Sequence, residues 1–446
     1  MTKLFQPKHS SDYSGVHDFF DTLGNEPVNI LFTIQEHHAE RAGKHYDIRI
    51  VPEGSNIAYS LVSKKDPLVE GKRLLIPQPD HPSDYATWQG VVRKGYGKGR
   101  VKLYHKESGY IYKDREGKIK IVLDSGKEIT ILPFKDGNYL AYISDFWNRI
   151  PRNTVLQRAE FKEMSSLPEE ERKKLLMRED TIATEKVDGA NVFVHFTEKG
   201  PIIVSRRISV AGKPIVKTLL LPHFKDMEIP RSFLGLVVNA ELYHDKGFNH
   251  LSGILNSKPS RAVKVQKETG PVKMAIFDLP LEHNLTYKEK LEKIKEIVKK
   301  LNHPYITMPR LATTPEEKQK LFEEAEEGVV VGFADKTLKQ SPLYKIKKRR
   351  DFDLMVVDFT EGEGKLKGKA IGAIVLADKT GRIVGKVGTG FTEDERKWIY
   401  ENWDKVKGKL VKVQAMLHPH RGTLRAPVFI GWSTDKNEPD FIPSVS

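Results

Sequence analysis

The sequence predicts a multidomain α+β protein: a β-barrel-like amino-terminal domain, a mixed α+β central domain and a small β-barrel at the carboxy terminus. Three observations carry that prediction. A chain of 446 residues is too long for one compact core. Apolar residues alternate with period two through both end segments, whereas helical spacing is interleaved with strands in the middle. A composition 39% hydrophobic and 30% charged is that of a globular chain with a heavily charged surface, not a disordered or membrane one.

Residues 1–146 read as all-β. Runs such as Leu31-Phe32-Thr33-Ile34-Gln35 and His45-Tyr46-Asp47-Ile48-Arg49-Ile50 are separated by Gly, Pro and Asp turns. Residues 147–178 read as a connector, with a charged surface helix over 166–176. From 179 to 348 strands and helices mix. Leu291, Ile294, Ile297, Val298 and Leu301 share one helical face, and Thr314-Pro315-Glu316-Glu317 is a capping box with proline at the first helical position. Residues 349–446 return to strands, including Leu354-Met355-Val356-Val357 and Ile371–Leu376, with one helical interruption near Glu393 to Trp403. That pattern suits a small barrel.

Bulk chemistry narrows the function. Cysteine is absent, which excludes disulfides, thiolate catalysis and cysteine-ligated zinc; any metal must sit on His, Asp or Glu. Lys and Arg total 74 against 60 Asp and Glu, a formal charge of +14 that favours a polyanionic partner. The opening residues Met1 to Pro7 lack an apolar signal region, and no apolar span is long enough for a bilayer, so a cytoplasmic protein without membrane contact is expected. Dense Lys/Glu usage is the composition of a thermophilic source.

The central segment carries an ordered set of functional side chains. Glu185-Lys186-Val187-Asp188-Gly189 comes first, then Arg206 closing a strand-like run, Glu241 ending Val237–Glu241, Phe277-Asp278, Glu327-Gly328, and Lys345 with Lys347 on one strand face. Lysine nucleotidylation needs this inventory. The amine must be deprotonated before it attacks an α-phosphate, and nearby cations favour that state. Two carboxylates suit Mg²⁺ beside phosphates, cations neutralise the transition state, and Phe277 offers a face to a purine. Glu241, Glu327 or any of the lysines alone reads equally well as an ordinary strand-end charge.

This order resembles the covalent nucleotidyltransferase superfamily of ATP-dependent ligases and capping enzymes. The resemblance implies Lys186 as the nucleophile, ATP and Mg²⁺ as cofactors, and Glu185, Arg206, Glu241, Phe277, Glu327, Lys345 and Lys347 at the nucleotide, with Glu241 and Glu327 also facing metal. The wording from Glu185 to Asn191 is closer to certain RNA ligases, with Thr184 and Asn239 at positions that are often acidic in DNA ligases. The carboxy-terminal segment points to DNA. Val384–Thr392, then Gly422–Phe429 and Asp435-Lys436, are similar to signatures of the OB-fold in bacterial ligase D and related DNA ligases. Gly431 and Ser433 stand where that family has arginines, so Arg425 and Lys436 are the implied leaving-group contacts.

A second constellation lies near the amino terminus. Gln35 and His37 share one face of a strand, as do His45, Asp47 and Arg49 of the next, while Asp80-His81-Pro82-Ser83-Asp84-Tyr85 adds an imidazole and a phenol. If the strands pair, His37, His45 and Asp47 form a His₂-carboxylate metal site suited to Mn²⁺ or a similar ion, with Arg49 beside a phosphate. The run resembles the 3′-phosphoesterase domain of bacterial ligase D and its archaeal relatives. The resemblance implies Gln35, Arg49, His81 and Tyr85 around a scissile phosphate. The combined expectation is a prokaryotic, monomeric DNA-repair enzyme that joins nicked or broken duplex DNA and heals 3′ ends by hydrolysis. An RNA ligase, a ligase whose front domain only binds DNA, and a non-catalytic scaffold are the alternatives.

Overall fold

The computed structural model describes residues 14–146, 161–163, 169–209, 214–348, 350–418, 421–434 and 436–443. Its chain falls into two compact units, one of residues 1–159, 188–285 and 289–308, the other of 160–187, 286–288 and 309–446. No helix among the described residues is long and apolar enough to cross a membrane.

The first unit begins with helix Ser14–Thr22, a departure from the all-β reading of residues 1–146. Its cause is Val16, Phe19, Phe20 and Leu23, spaced i, i+3, i+4, i+7 and all buried, a helical stripe nearly as short as such a stripe can be. Nine strands follow: β1 (Val28–Ala39), β2 (Gly43–Pro52), β3 (Ile57–Ser63), β4 (Gly71–Pro82), β5 (Gly90–Val92), β6 (Gly99–Lys113), β7 (Ile119–Leu123), β8 (Lys127–Pro133) and β9 (Tyr139–Asp145). They pair in the order β1-β2-β3-β4-β9-β8-β7-β6-β5, and β1 also pairs with β6, so eight strands close a barrel. Phe32, Ile34, Ile48 and Ile50 point into its core with Leu61, Ile121, Ile129 and the helix's aromatic residues. With a two-residue period, Gln35, His37, Asp47 and Arg49 must lie on the opposite face. The register sets Gln35 opposite Asp47 and His37 opposite His45. A slip of one residue would turn that set into the core.

The numbering continues with β10 (Phe161–Glu163), β11 (Thr181–Glu185), β12 (Ala190–Thr197), β13 (Gly200–Ile208), β14 (Pro214–Val216), β15 (Val237–Tyr243), β16 (Lys273–Asp278), β17 (Ile306–Thr307), β18 (Leu311–Ala312), β19 (Gly328–Phe333) and β20 (Leu343–Lys347). The segment 179–348 builds two sheets. One, ordered β14-β13-β12-β15-β16-β17, belongs to the first unit; the other, ordered β10-β20-β19-β11-β18, belongs to the second. Each has its own core. Val192, Val194, Val238, Leu242, Met274 and Ile276 meet Ile294 and Ile297 of helix Tyr287–Leu301, while Ala183, Val329, Val331 and Ile346 meet Leu321 of helix Pro315–Glu324. Thr314 and Glu317 cap that second helix reciprocally.

Of the segment read as a connector, 147–160 and 164–168 lie outside the described residues. β10 pairs with β20, and Leu175 and Leu176 of helix Glu169–Leu176 are buried in the second core. The last strands, β21 (Arg350–Glu361), β22 (Ile371–Ala377), β23 (Ile383–Val387), β24 (Leu410–Leu417) and β25 (Leu424–Trp432), pair in the order β23-β22-β21-β24-β25. A bridge between Thr389 and Val428 draws the outer strands together around Leu354, Ile374, Val411 and Val413.

Within the first unit the barrel and the six-stranded sheet share a core. Tyr110, Tyr112 and Val122 from the barrel's outer face pack on Phe193, Ile202, Val204 and Val237. A buried ionic network lies beside it. Glu128 and Lys225 are 0% and 1% exposed and paired, and Lys225 Nζ also donates to Tyr112 Oη at 2.9 Å and to Asp226 at 3.2 Å. Tyr112 donates to Asp226. Burial and the neighbouring carboxylates push the Tyr112 phenol well above its ordinary range, so it remains a donor. Removing the cation strands a buried carboxylate, a change that costs about 3–5 kcal/mol in such pairs. Lys120 stays 3.7 Å from Glu128, which sets the loss for Lys225→Met at the low end, about 3 kcal/mol. Urea unfolding should show that loss and its partial recovery in the Glu128→Gln/Lys225→Met double variant. Equal stability of wild type and single variant would contradict it.

Candidate active sites

In the second unit, β11 ends at Glu185, and the Lys186 amide continues the ladder by donating to the Gly328 carbonyl at 3.0 Å. Gly328 in turn lies opposite Lys347. Lys186, Gly328 and Lys347 therefore form one row across three strands. Strand spacing of roughly 4.8 Å puts the two lysine backbones roughly 10 Å apart. Gly328 leaves the space between them open. A side chain is impossible there: φ is +130°, and a Cβ would lie 2.1 Å from the Ile346 carbonyl oxygen.

Lys345 and Lys347 share the face opposite the core residue Ile346. Lys186 Nζ donates to Glu327 Oε2 at 2.6 Å, the amine 20% and the carboxylate 9% exposed. The amine is accessible yet held, and three lysines beside one carboxylate make a cradle for a polyphosphate. Glu185 is clamped by Arg310 at 2.8 and 3.2 Å, and Arg310 also reaches Glu324 at 2.8 Å. Nothing in the sequence order pointed to Arg310, because its partners lie far along the chain.

In the first unit, Arg206, Glu241 and Phe277 stand on one face of the six-stranded sheet, as the registers of Phe193 with Val204 and Asn239, and of Glu241 with Ala275, require. Arg206 is exposed; Glu241 and Phe277 are half-buried. Asn191 Nδ2 donates to Glu241 at 3.3 Å. Gly189 must be glycine, since a Cβ there would lie 1.9 Å from the Leu242 oxygen. Asn239 is fully buried on this face, and neither of its amide atoms has a hydrogen-bond partner among the described residues. That unsatisfied amide is a feature sequence order alone does not reveal.

The barrel brings together the amino-terminal set. His37 Nδ1 is 3.3 Å from Asp47 Oδ2, His45 Nε2 is 3.8 Å from Asp47 Oδ1, and the three ligand atoms lie within 4.8 Å of one another. Each imidazole spends its other nitrogen on a backbone carbonyl: His37 Nε2 on Gly97 at 2.8 Å, His45 Nδ1 on Gly43 at 3.0 Å. A carbonyl only accepts, so these contacts assign the ring protons to those nitrogens. The remaining lone pairs then face the carboxylate, an arrangement that is repulsive until a cation or proton lies between them. A metal ion fits this donor set, with the carbonyls fixing the ring tautomers from outside.

Burial alone would raise the Asp47 carboxyl; the Arg49 charge foremost outweighs it and holds it below its ordinary value. Arg49 reaches Asp47 at 3.4 Å and Gln35 Oε1 at 3.1 Å, while Gln35 Nε2 donates to the Tyr85 and Trp88 carbonyls. His81, Tyr85 and Trp88 stack in a column, at 4.6 Å and then 5.3 Å between centroids. Burial, then the Arg49 charge, pushes His81 down to about 3, so its imidazole stays neutral at working pH. The Trp88 ring and the Gly43 and Gly97 carbonyls are the parts sequence reasoning missed. Backbone acceptors leave no residue signature.

In the carboxy-terminal barrel, Arg425 is half-buried on β25, and burial lowers its guanidinium. Lys436 pairs with Asp353 at 3.1 Å and with Asp440 at 2.7 Å; Asp435 lies outside the described residues.

No protein-family model matches the chain. Over 403 residues, 82% of the chain, it is 24% identical to the multifunctional non-homologous end joining protein LigD of Mycolicibacterium smegmatis, covering 48% of that protein. Among solved structures, one from a study of Lig E DNA ligases is 18% identical over 57% of this chain and 93% of its own, with a TM-score of 0.39. The ligase domain of Mycobacterium tuberculosis LigD is 17% identical over 62% and 95%, with a TM-score of 0.33. The chain spans about half the length of the LigD relative it matches.

Proposed function

We propose that the chain is an ATP-dependent DNA ligase that seals 5′-phosphate/3′-hydroxyl nicks through a lysyl-AMP intermediate, with a metal-dependent 3′-end-healing site in its amino-terminal barrel. The observation that carries the ligase reading is Lys186, an accessible amine held 2.6 Å from Glu327 in a row with Lys347. On this reading Lys186 Nζ attacks the α-phosphorus of ATP and pyrophosphate leaves. The AMP passes to a 5′-phosphate, and a 3′-hydroxyl then displaces it as the phosphodiester forms.

Lys345 and Lys347 offset the charge that develops on the α-phosphate. Arg206, Glu241, Phe277 and Glu185 take nucleotide roles by their order in the sequence, and Arg425 or Lys436 the pyrophosphate. For Lys436 that requires leaving Asp353 and Asp440. Mg²⁺, which a carboxylate such as Glu327 or Glu241 suits, would supply charge neutralisation on the phosphates. The reading places a monomer in a prokaryotic cytosol, with nicked or broken duplex DNA as partner. The wording around Asn191 keeps an RNA ligase as the rival. Sealing of nicked duplex DNA at least tenfold faster than nicked RNA is expected, and the reverse order would favour the rival.

In the barrel, His37, His45 and Asp47 would hold Mn²⁺ or a similar ion, whose charge activates a phosphoester toward hydrolysis. Arg49, neutral His81, Gln35 and Tyr85 would surround the scissile phosphate, a reading supported by the Gln35–Arg49 hydrogen bond and the His81–Tyr85 stack. Because only the folded cluster binds, Mn²⁺ at a hundredfold excess over its dissociation constant should add about 2.7 kcal/mol of stability. Thermal melts should show that gain in wild type and its loss in His37→Ala and Asp47→Ala. A gain that survives both substitutions would place the ion elsewhere.

A further inference from the structure

We infer that the loop of residues 93–98 is the strand-binding element of the amino-terminal site, holding the single nucleic-acid strand that ends there. This rests on the end-healing reading of that site. The loop, Arg93-Lys94-Gly95-Tyr96-Gly97-Lys98, joins β5 to β6, carries three cations and one aromatic ring, and contains no carboxylate. Its tip is a turn in which the Lys98 amide donates to the Gly95 carbonyl at 3.1 Å. Arg93 and Lys94 are exposed, and Tyr96, at 73%, is the most exposed large hydrophobic side chain among the described residues.

The loop is not an outlying patch. Its Gly97 carbonyl is the acceptor that fixes the His37 tautomer, and a Cβ on Gly97 would sit 3.4 Å from His37 Cε1. Lys94 is three residues from Gly97, hence at most about 11 Å of backbone from the carbonyl that holds His37. β5, which leads into the loop, begins two residues after Trp88, the last ring of the His81–Tyr85–Trp88 column. Cations beside the cluster would follow a phosphate backbone, and Tyr96 offers a flat face to a base, the pairing of charge and stacking that single strands require. Lys98 is excluded from the main role because Glu40 already holds it at 2.8 Å. The Gly97 contact also couples the two events. A strand that draws the loop toward itself acts on the carbonyl that orients a metal ligand.

The test uses the full chain with Mn²⁺ and the triple variant Arg93→Ala/Lys94→Ala/Tyr96→Ala. Removal of a 3′-phosphate from a primer end is compared with hydrolysis of p-nitrophenyl phosphate, which is too small to reach the loop. The primer-to-small-substrate ratio of kcat/KM should fall about tenfold or more, with two phosphate contacts and one stack removed. An unchanged ratio would overturn the inference. Should wild type hydrolyse neither substrate, the end-healing reading fails, and the loop is judged by binding alone. Fluorescence anisotropy of a labelled single strand should then show weaker binding by the variant and a salt slope shallower by about 1.4. Equal affinity and equal slope would overturn it.

Discussion

Strand register is the constraint on which the chemistry of this chain depends. The Lys186 amide reaches the Gly328 carbonyl only because β11, β19 and β20 pair without a slip, with Glu185 opposite Val329 and Gly328 opposite Lys347. From that alignment follow the 2.6 Å contact of Lys186 with Glu327 and the placement of Lys347 across a position that cannot bear a side chain. A shift by one residue would put Val329 in the glycine's place and send the lysines to the core face. The buried residues Val329, Val331 and Ile346 resist such a shift, since the same period that exposes the lysines buries these three. Packing and chemistry are thus two faces of one alternation.

The barrel repeats the device with different side chains. Phe32, Ile34, Ile48 and Ile50 fill its interior, and the residues between them present His37, His45, Asp47 and Arg49 outward. Placing an acid, a guanidinium and imidazoles on a sheet face beneath the segment from His81 to Trp88 produces two opposed environments. The Arg49 charge holds Asp47 below its ordinary range, whereas burial keeps His81 neutral. One patch therefore offers an anionic carboxylate and an uncharged imidazole side by side. The barrel is also joined to the six-stranded sheet by Tyr110, Tyr112 and the Glu128–Lys225 network, so these two modules form one body.

Much of this was legible in the sequence. Period-two runs marked the strands that carry His37 to Arg49, and Thr314 with Glu317 marked a helix start that the structure reproduces atom for atom. The order from Lys186 to Lys347 pointed to nucleotidyl transfer, and the structure brings Lys186, Glu327 and Lys347 of that set together. What could not be read has physical causes. The helix Ser14–Thr22 has only one short apolar stripe, too brief to stand out from neighbouring strands. The division of residues 179–348 between two sheets depends on which strands find each other across long separations, a property of the three-dimensional fold. The carbonyls of Gly43 and Gly97, which set the imidazole tautomers, belong to every residue's backbone. The Lys436 ion pairs and the Arg310 clamp on Glu185 likewise join residues that local pattern does not connect.

The central claim is that Lys186 becomes covalently nucleotidylated. Incubation of the full chain with α-labelled ATP and Mg²⁺, followed by denaturing electrophoresis, tests it most directly. The account predicts a labelled protein band that pyrophosphate discharges and that is absent from Lys186→Ala. An unlabelled wild-type chain, or a label that persists in Lys186→Ala, would contradict it.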